Sequence, residues 1–179
     1  MKKITLIDTT MSRAYELHKG RLGFKTKLEA AGCIDRLGVD FIELEPITGT
    51  RAEALFNKTA ATTLKAVVSA CVLISADNVR ETWESVCHAE KSRLNLLVPS
   101  SPVQMEYSGH VKAPAMLEKI SQKGAECVSF CRHTEVTFVD ATRAEPEFLR
   151  EGIRRAVAAG VKAVTLCDTA GIFLPGEFS

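Results

Sequence analysis

The sequence predicts an α/β fold, a partial (β/α)8 TIM barrel of about six βα units forming a single incomplete domain over residues 1–179. Short β-branched or apolar runs alternate with longer segments of helical period, the pattern of parallel βα units. Nearly every predicted strand ends in polar residues, as expected where many βα loops build one site. A Rossmann-type glycine-rich turn is not found after the first strand, since Gly20 and Gly23 lie too far downstream.

Six strands are predicted, each a short run of apolar and β-branched residues. In chain order they are 4–8 (ITLID), 40–44 (DFIEL), 71–75 (CVLIS), 94–98 (LNLLV), 135–139 (EVTFV) and 163–167 (AVTLC). The first is expected to be buried. The polar clusters at their ends are Asp8-Thr9-Thr10, Glu43 and Glu45, Ser75 to Asn78, Ser100-Ser101, Asp140 to Arg143, and Asp168-Thr169.

Segments of helical period separate the strands. Helices are predicted near 25–37, 51–69, 78–90 and 114–131. A fifth is the best delimited, because Pro146 suits a first helical turn and Gly160 lies where a C-cap is expected. Pro175 is expected to open a sixth helix. Barrels usually have eight strands and about 250 residues, so the chain is predicted to end before strands 7 and 8 and to leave two sheet edges open.

Composition limits the function classes. Of 179 residues, 46% are apolar and 25% are charged, with a net charge of +1, which favours a globular protein and argues against nucleic-acid binding. No apolar run of about 18 residues could cross a membrane, and a cytoplasmic location is expected. The six cysteines lie mostly in apolar or helical runs, which indicates reduced core thiols. Cys127 and Cys131 with His133 could instead hold a metal, but zinc sites usually use tighter cysteine pairs.

Several segments resemble the homocitrate synthase / 2-isopropylmalate synthase family, the acyl-CoA-condensing, pyruvate carboxyltransferase-like branch of the aldolase-type barrels that includes HMG-CoA lyase. They run in the family's order over essentially the whole chain. The VPSSPVQ and DTAGIFLP segments look closest to the homocitrate synthases. The matching segments are IDTT, LEAAGCIDRLGVDFIELEP, VPSSPVQMEY, VTFVDATRAEPEFLREGIRRAVAAG and VTLCDTAGIFLPGEF.

The resemblance implies a Claisen condensation of acetyl-CoA with a 2-oxo acid, in which a divalent metal polarises the ketone and a base removes a methyl proton. Arg143 would bind the distal carboxylate of the acid and Thr169 would hydrogen-bond the acid. By the same resemblance the candidate catalytic residues are Glu43 and Arg13, and the candidate substrate-binding residues are Arg143, Thr169, Thr10 and Gln104.

Strand 1 departs from the family pattern Asp-Thr-Thr-Leu-Arg-Asp-Gly-Glu-Gln. Aligned without a gap, Ser12 stands for the oxyanion arginine and Arg13 for the metal-binding aspartate. A guanidinium at that position would repel a dication. A shift by one residue would make Arg13 the oxyanion arginine but leave Ala14 at the ligand position. The family's His-x-His ligands would lie beyond Ser179, and His18, His88, His110 and His133 form no such pair, so no metal cofactor is expected for this chain.

Alternative interpretations remain open. Glu43 and Arg143 could form a structural ion pair, Asp168 and Thr169 could only cap a turn, and Gln104 could be a plain loop residue. The chain could be a truncated synthase or one half of a split enzyme, completed by a complementary chain or a homo-oligomer. It could instead be a non-catalytic homologue that binds a 2-oxo acid, a dicarboxylic acid or a partner protein. A Schiff-base lyase is disfavoured, because Lys162 lies before strand 6.

Overall fold

The computed structural model describes residues 4–13 and 22–178, in which strands and helices alternate along the chain. Strands β1 to β6 span Ile7–Asp8, Phe41–Leu44, Val67–Leu73, Ser92–Pro99, Thr134–Val139 and Ala163–Leu166. Helices α1 to α6 span Phe24–Arg36, Arg51–Thr63, Val79–Val86, Ala113–Phe130, Pro146–Ala158 and Pro175–Phe178. Shorter helical segments are a turn at residues 10–13, Pro102–Gln104, the π-helical Met105–Gly109 and the 3-10 turn Ala141–Arg143.

The strands form one sheet in the sequential order β1-β2-β3-β4-β5-β6. The pairs β1–β2, β2–β3 and β5–β6 are parallel. A doubly wound sheet reverses its strand order after the first βαβαβ half, whereas a (β/α)8 barrel adds each strand beside the previous one. The sequential order therefore confirms the predicted fold class, a partial (β/α)8 barrel.

The chain divides into two compact units. The first unit comprises Met1–Val72 and Asn78–Leu94, and the second comprises Leu73–Asp77 and Asn95–Ser179. Each is described below by itself. The prediction of a single domain over residues 1–179 stays a prediction.

In the first unit, the strands present one apolar and one polar face, because successive side chains of a strand alternate. The buried apolar face includes Ile42, Leu44, Val68 and Val72. On the polar face, Glu43 stands in register with Ser69. The Ser69 hydroxyl accepts a 2.9 Å hydrogen bond from Arg93 Nε, and the Arg93 guanidinium lies 4.0 Å from the ring centroid of Phe41.

The second unit repeats this division of faces. Its buried apolar face includes Leu96, Val98, Val136 and Phe138. Hydroxyls on its polar face donate hydrogen bonds to neighbouring strands: Thr137 Oγ1 to Asn95 Oδ1 at 2.9 Å, and Thr165 Oγ1 to Glu135 Oε1. The polar face of this sheet thus carries side-chain links from β4 to β5 and from β5 to β6.

Three predicted element boundaries are wrong by four residues or more, and one of them is the end of α3, which is at Val86 and not at 90. Helix α2 ends at Thr63 and not at 69, and β3 begins at Val67 and not at 71. The end of α2 is set by a distant residue: the Asp35 carboxylate accepts hydrogen bonds from the backbone N–H groups of Lys65 and Ala66, at 3.0 and 2.8 Å. These contacts hold the two residues outside the helix.

The predicted buried strand at 4–8 is also wrong in extent and burial. β1 contains only Ile7 and Asp8, and Ile4 and Leu6 are 82% and 57% exposed. β1 is the first strand of the sheet, so these apolar side chains have a neighbouring strand on one side only.

The helix ends agree better with the sequence. Pro146 opens α5 and Pro175 opens α6, as predicted. Gly160 follows the C-cap of α5 with φ +96°, a conformation that glycine adopts without steric cost. Among the described residues no helix has the length and apolar character needed to cross a membrane. All six cysteines are free, and Cys71, Cys127 and Cys131 are buried.

Candidate functional site

Polar side chains gather after the carboxyl ends of the strands in both units. In the first unit they follow β1 and β2, and in the second they follow β4, β5 and β6. The carboxyl ends of parallel strands are where α/β proteins place their ligands.

The end of β1 is occupied by a local helix cap. Asp8 Oδ1 accepts a 2.9 Å hydrogen bond from the backbone N–H of Thr10, and the N–H of Arg13 bonds to the carbonyl of Thr9 at 3.0 Å. The Asp8 carboxylate therefore forms an Asx turn that leads into the helical turn at residues 10–13. Thr10 is exposed and Arg13 is half-buried.

Glu43 is buried at the end of β2 and is hydrogen-bonded to Ser12. Ser12 Oγ lies 2.6 Å from Glu43 Oε1 and 3.0 Å from the carbonyl oxygen of Thr9. A hydroxyl can donate only one proton, and the shorter distance indicates that Ser12 donates its proton to the Glu43 carboxylate and not to the Thr9 carbonyl. Ser12 thus donates a hydrogen bond to a predicted catalytic residue.

A second buried acid, Glu45, pairs with α1. The Lys27 ammonium lies 2.6 Å from Glu45 Oε1 and 2.8 Å from Oε2, and also 5.6 Å from the ring centroid of Phe56. Both charged side chains are largely buried. This pair joins α1 to the segment after β2 and leaves Glu45 a structural role.

In the second unit, Asp140 is the centre of a hydrogen-bond network that we call the Asp140 cluster, formed by Ser101, Asp140, Arg143 and Thr169. Asp140 is fully buried. Arg143 donates to both of its carboxylate oxygens, Nε at 2.9 and 3.0 Å and Nη2 to Oδ2 at 2.7 Å. Ser101 Oγ donates to Oδ2 at 2.5 Å, and the Asp140 N–H donates to Thr169 Oγ1 at 2.9 Å.

The charges in this cluster stabilise one another. The hydrogen bonds from Arg143 lower the pKa of Asp140, and Asp140 raises the pKa of Arg143. The neighbouring Asp168 has a lowered pKa because the backbone N–H of Phe173 and the hydroxyl of Thr142 donate to it, at 2.9 and 2.7 Å. Both aspartates are therefore anionic at neutral pH.

Gln104 reaches the cluster through Ser101. Its backbone N–H donates to Ser101 Oγ at 3.1 Å, which makes Ser101 the N-cap of the helical turn Pro102–Gln104. Its side-chain Oε1 accepts a hydrogen bond from Ser108 Oγ at 2.9 Å. The Gln104 side chain is thus engaged within its own helical segment.

The second unit also contains a cavity of about 660 Å³. Its walls come from the segment after β4 and from the starts of α4 and α5, and include Met105, Val111 and Phe148. This volume is within the range of small-molecule sites. The sequence carried no signal for it, because the π-helical turn that forms one wall has no marker in the sequence.

The structure brings together part of the predicted site. Arg143 and Thr169 meet on Asp140, and Thr10 and Arg13 share one helical turn. Sequence reasoning assigned no role to Ser12, Ser101 or Asp140. The available signals were Ser101 before Pro102, typical of a helix N-cap, and the three-residue spacing of Asp140 and Arg143, which allows an ion pair within one turn.

Across 4–13 and 22–178, no group of three or more His, Cys, Asp or Glu side chains is arranged to hold a metal ion. Asp8 is engaged with the Thr10 N–H, and the neighbouring Arg13 would add positive charge. His88, His110 and His133 are exposed, and His18 lies outside the described residues.

Comparison with known proteins matches the HMGL-like family over residues 3–179. The 2-isopropylmalate synthase of Halalkalibacterium halodurans is 29% identical over 178 residues, which cover 99% of this chain and 35% of that protein. The 2-isopropylmalate synthase of Caulobacter vibrioides is 27% identical over 176 residues, covering 98% and 34%. The crystal structure of Bacillus subtilis HMG-CoA lyase superposes with a TM-score of 0.76 at 14% identity, over 99% of this chain and 62% of that one.

These matches concern different properties. The chain spans about a third of the length of the curated relatives it matches. The likeness to HMG-CoA lyase, at 14% identity, concerns the fold and agrees with the partial barrel described above. The family match extends over nearly the whole chain. The chain therefore belongs to the HMGL-like family.

Proposed function

We propose that this chain binds a 2-oxo acid through Arg143, as a homologue of the synthases that condense such acids with acetyl-CoA. The observation that carries the proposal is that the Arg143 guanidinium is both ion-paired and partly exposed to solvent. Arg143 is held on Asp140, yet its side chain is 42% exposed. A guanidinium held in this way suits a carboxylate ligand, which it can bind through two parallel hydrogen bonds.

The proposal assigns roles to the other predicted site residues. Thr169 and Gln104, which lie in the same unit as Arg143, are proposed to contact the acid. Thr10 as a substrate-binding residue and Glu43 and Arg13 as catalytic residues stay assignments by the family resemblance. In support, Glu43 is buried and hydrogen-bonded to Ser12, and Arg13 is half-buried in the turn that follows β1. Each assignment can be tested by substituting the residue and measuring acid binding and turnover separately.

We further propose that this chain binds the acid without a metal held by its own strand-1 residues. In an ungapped alignment with the family pattern, Ser12 and Arg13 would stand for the arginine and the metal-binding aspartate, and a one-residue shift would place Ala14 at the ligand position. In the structure, Ser12 is hydrogen-bonded to Glu43. Acid binding is then expected to be the same with manganese and with a chelator.

The test is isothermal titration of the chain with 2-oxoglutarate, with manganese and with EDTA. Arg143→Ala should weaken binding at least about tenfold, since a charge-assisted pair is lost. Arg150→Ala is the matched control, because Arg150 is also exposed and also pairs with an acid three residues earlier, Glu147 at 3.1 Å. Equal affinities of the two variants would reject the proposal, and manganese-dependent binding would reject its metal-free form.

Condensation of the bound acid with acetyl-CoA is a second candidate function, favoured by the relatives, which are 2-isopropylmalate synthases. Release of free CoA in the presence of a 2-oxo acid would establish it. Acid binding without thioester cleavage would indicate a non-catalytic binding homologue. A complementary chain that completes the barrel is proposed as part of this candidate.

We propose that a second copy of the chain covers the edge of the sheet at β6. The β6 segment and the residues after it expose apolar side chains, with Leu166 41%, Phe173 40% and Leu174 69% exposed. An open strand edge beside apolar side chains is a typical site of association between chains. The reduced thiols support a cytoplasmic setting for this assembly.

A further inference from the structure

Asp140 is held in an uncommon backbone conformation. Its φ and ψ are 63° and 40°, in the left-handed region, which non-glycine residues rarely occupy and which aspartate and asparagine tolerate best. The Asp140 N–H is fixed by Thr169 Oγ1 at 2.9 Å. This conformation directs the carboxylate towards the turn Ala141–Arg143, where it meets the Arg143 guanidinium.

The contacts of Asp140 involve only one edge of that guanidinium. Nε and Nη2 donate to the carboxylate, which is the side-on arrangement of an arginine–carboxylate pair. A guanidinium has five N–H donors, so three remain: one on Nη1 and one on Nη2 form its end-on edge, and the second on Nη1 lies beside Cδ. Within the described residues, Nη1 has no hydrogen-bond partner.

Ser101 fixes the carboxylate from the opposite direction. Its hydroxyl donates to Oδ2 at 2.5 Å, while its oxygen accepts from the Gln104 N–H at 3.1 Å. Ser101 and Asp140 are both fully buried, whereas Arg143 is 42% exposed. The rigid part of the cluster is therefore inside, and the outer guanidinium edge is at the surface.

We infer that Asp140 is a positioning residue, which holds the inner edge of the Arg143 guanidinium so that the outer edge, Nη1 with Nη2, is presented to a ligand carboxylate. The inference rests on the proposed function, because it names the residue on which acid binding through Arg143 depends. Ordering a flexible arginine before the ligand arrives reduces the entropy lost on binding.

A competing effect has the opposite sign. Asp140 also neutralises part of the Arg143 charge, which by itself would weaken the attraction for an anion. If neutralisation dominated, removing the Asp140 charge would strengthen acid binding. If positioning dominates, the same change weakens it. The sign of the change in affinity therefore decides between the two.

The experiment is titration of Asp140→Asn with 2-oxoglutarate. Asparagine keeps the left-handed conformation and the size of the side chain but loses one acceptor oxygen. We expect affinity about tenfold weaker, the equivalent of one charge-assisted hydrogen bond. Unchanged or tighter binding would overturn the inference.

A spectroscopic readout separates positioning from a general loss of structure. In wild type, the Arg143 Nε–H should give a resolved signal in ¹H–¹⁵N spectra of arginine side chains, identified by its loss in Arg143→Lys. In Asp140→Asn this signal should shift and exchange faster, while that of Arg155, which pairs with Glu151, should not change. Persistence of the Arg143 signal in the variant would contradict the inference.

A further variant, Ser101→Ala, and the Arg143→Ala variant given above keep the outcomes distinct. Ser101→Ala leaves Asp140 in place but removes one donor to it, and should weaken binding a few-fold in the same direction; it serves also if Asp140→Asn does not fold. If Arg143→Ala does not weaken binding, the proposed function fails. If Arg143→Ala weakens binding and Asp140→Asn does not, or Ser101→Ala does not where Asp140→Asn fails to fold, only the positioning role fails.

Discussion

Two buried carboxyl groups, those of Glu43 and Asp140, are each hydrogen-bonded by a nearby serine. Ser12 donates to Glu43 at 2.6 Å and Ser101 donates to Asp140 at 2.5 Å. A buried carboxyl group without such donors is costly, because it has lost its hydrogen bonds to water. These serines therefore stabilise the fold and orient the acids.

The first prediction concerns Ser12. Ser12→Ala removes the donor to Glu43 and should lower the free energy of unfolding by about 1–3 kcal/mol, as expected when a buried polar group loses its partner. Urea denaturation measures this change. Ser108→Ala is the control, since Ser108 is exposed and bonds to the half-exposed Gln104 side chain; its effect should stay within about 0.5 kcal/mol. Equal effects of the two would show that the Ser12 contact is not stabilising.

The second prediction concerns the pH dependence of the Asp140 cluster. The pKa of Asp140 lies below its ordinary value of 3.8, so its ionised form stabilises the folded state. That contribution is present above 3.8 and is lost as the pH falls through the folded-state pKa. The difference in unfolding free energy between wild type and Asp140→Asn should therefore be constant from about pH 5 to 7 and shrink below 3.8.

The control for the pH experiment is Glu147→Gln, which removes an exposed ion pair with Arg150. Exposed pairs contribute little, so this variant should track wild type at every pH. A difference between wild type and Asp140→Asn that did not change down to about pH 2 would mean that the Asp140 charge contributes nothing to stability.

At these positions, the sequence could indicate which residue types belong to the site but not which hydrogen-bond partners they have. The departure at Ser12 and Arg13 is visible in the order of residues alone, whereas the Ser12 contact to Glu43 joins positions 31 residues apart. Arg143 was identified by resemblance, and Asp140, three residues earlier, was not. Its role depends on a left-handed backbone conformation that no residue pattern specifies.

At the scale of elements, α5 packs closely against β5 at a glycine. A Cβ on Gly152 would lie 2.9 Å from Cε1 and 3.2 Å from Cζ of Phe138, and 3.4 Å from Cδ1 of Ile120. Phe138 and Ile120 are both fully buried, so neither has free space to move into. The absence of a side chain at Gly152 therefore sets how closely the helix approaches the strand.

The third prediction compares two helical glycines. Gly152→Ala should lower the free energy of unfolding by about 1–3 kcal/mol through overpacking. Gly32→Ala, in α1, would meet only Arg36 Nη1 at 3.8 Å and should raise stability by about 0.5–1 kcal/mol, the usual gain from replacing glycine within a helix. Thermal or urea unfolding of both variants measures this. Stabilisation of both would show that α5 can move away from β5.

Element types were more predictable than element ends. Among the described residues, the strands β1 to β6 and the helices α1 to α6 were anticipated, because each carries its own periodicity or apolar run. The short helical segments, such as Pro102–Gln104 and Met105–Gly109, were not. The boundary between α2 and β3 was misplaced, since LKAVVSACVLIS is a largely apolar stretch in which helix and strand look alike. Asp35, from α1, decides that boundary by binding the N–H groups of Lys65 and Ala66.

At the scale of the whole molecule, the open edge at β6 sets the expected association state. The fourth prediction is a mass of twice 19.5 kDa by light scattering coupled to size-exclusion chromatography. Replacing Phe173 and Leu174 by serine should shift the mass towards the monomer. Val157→Ser is the control, because Val157 is an exposed apolar residue of α5. A monomer in wild type would point to a complementary chain in place of a second copy.

Some properties of the whole molecule could be predicted from the sequence and others could not. The strand count and the polar strand ends were enough to predict a partial barrel, and family membership agrees with it. The division into two compact units and the cavity of about 660 Å³ were not anticipated. Both depend on contacts between residues far apart in the chain.

The hydrogen bonds on the polar face of the second unit have a consequence for folding fidelity. A strand that slips by two residues keeps its apolar side chains on the correct face, so hydrophobic pattern alone does not penalise that error. The hydrogen bonds from Thr137 to Asn95 and from Thr165 to Glu135 do penalise such a slip. Each needs two particular side chains to face each other across neighbouring strands, and a shift of two residues would separate them. The hydrogen bonds of the polar face thus specify one strand register among the several that the apolar face would allow.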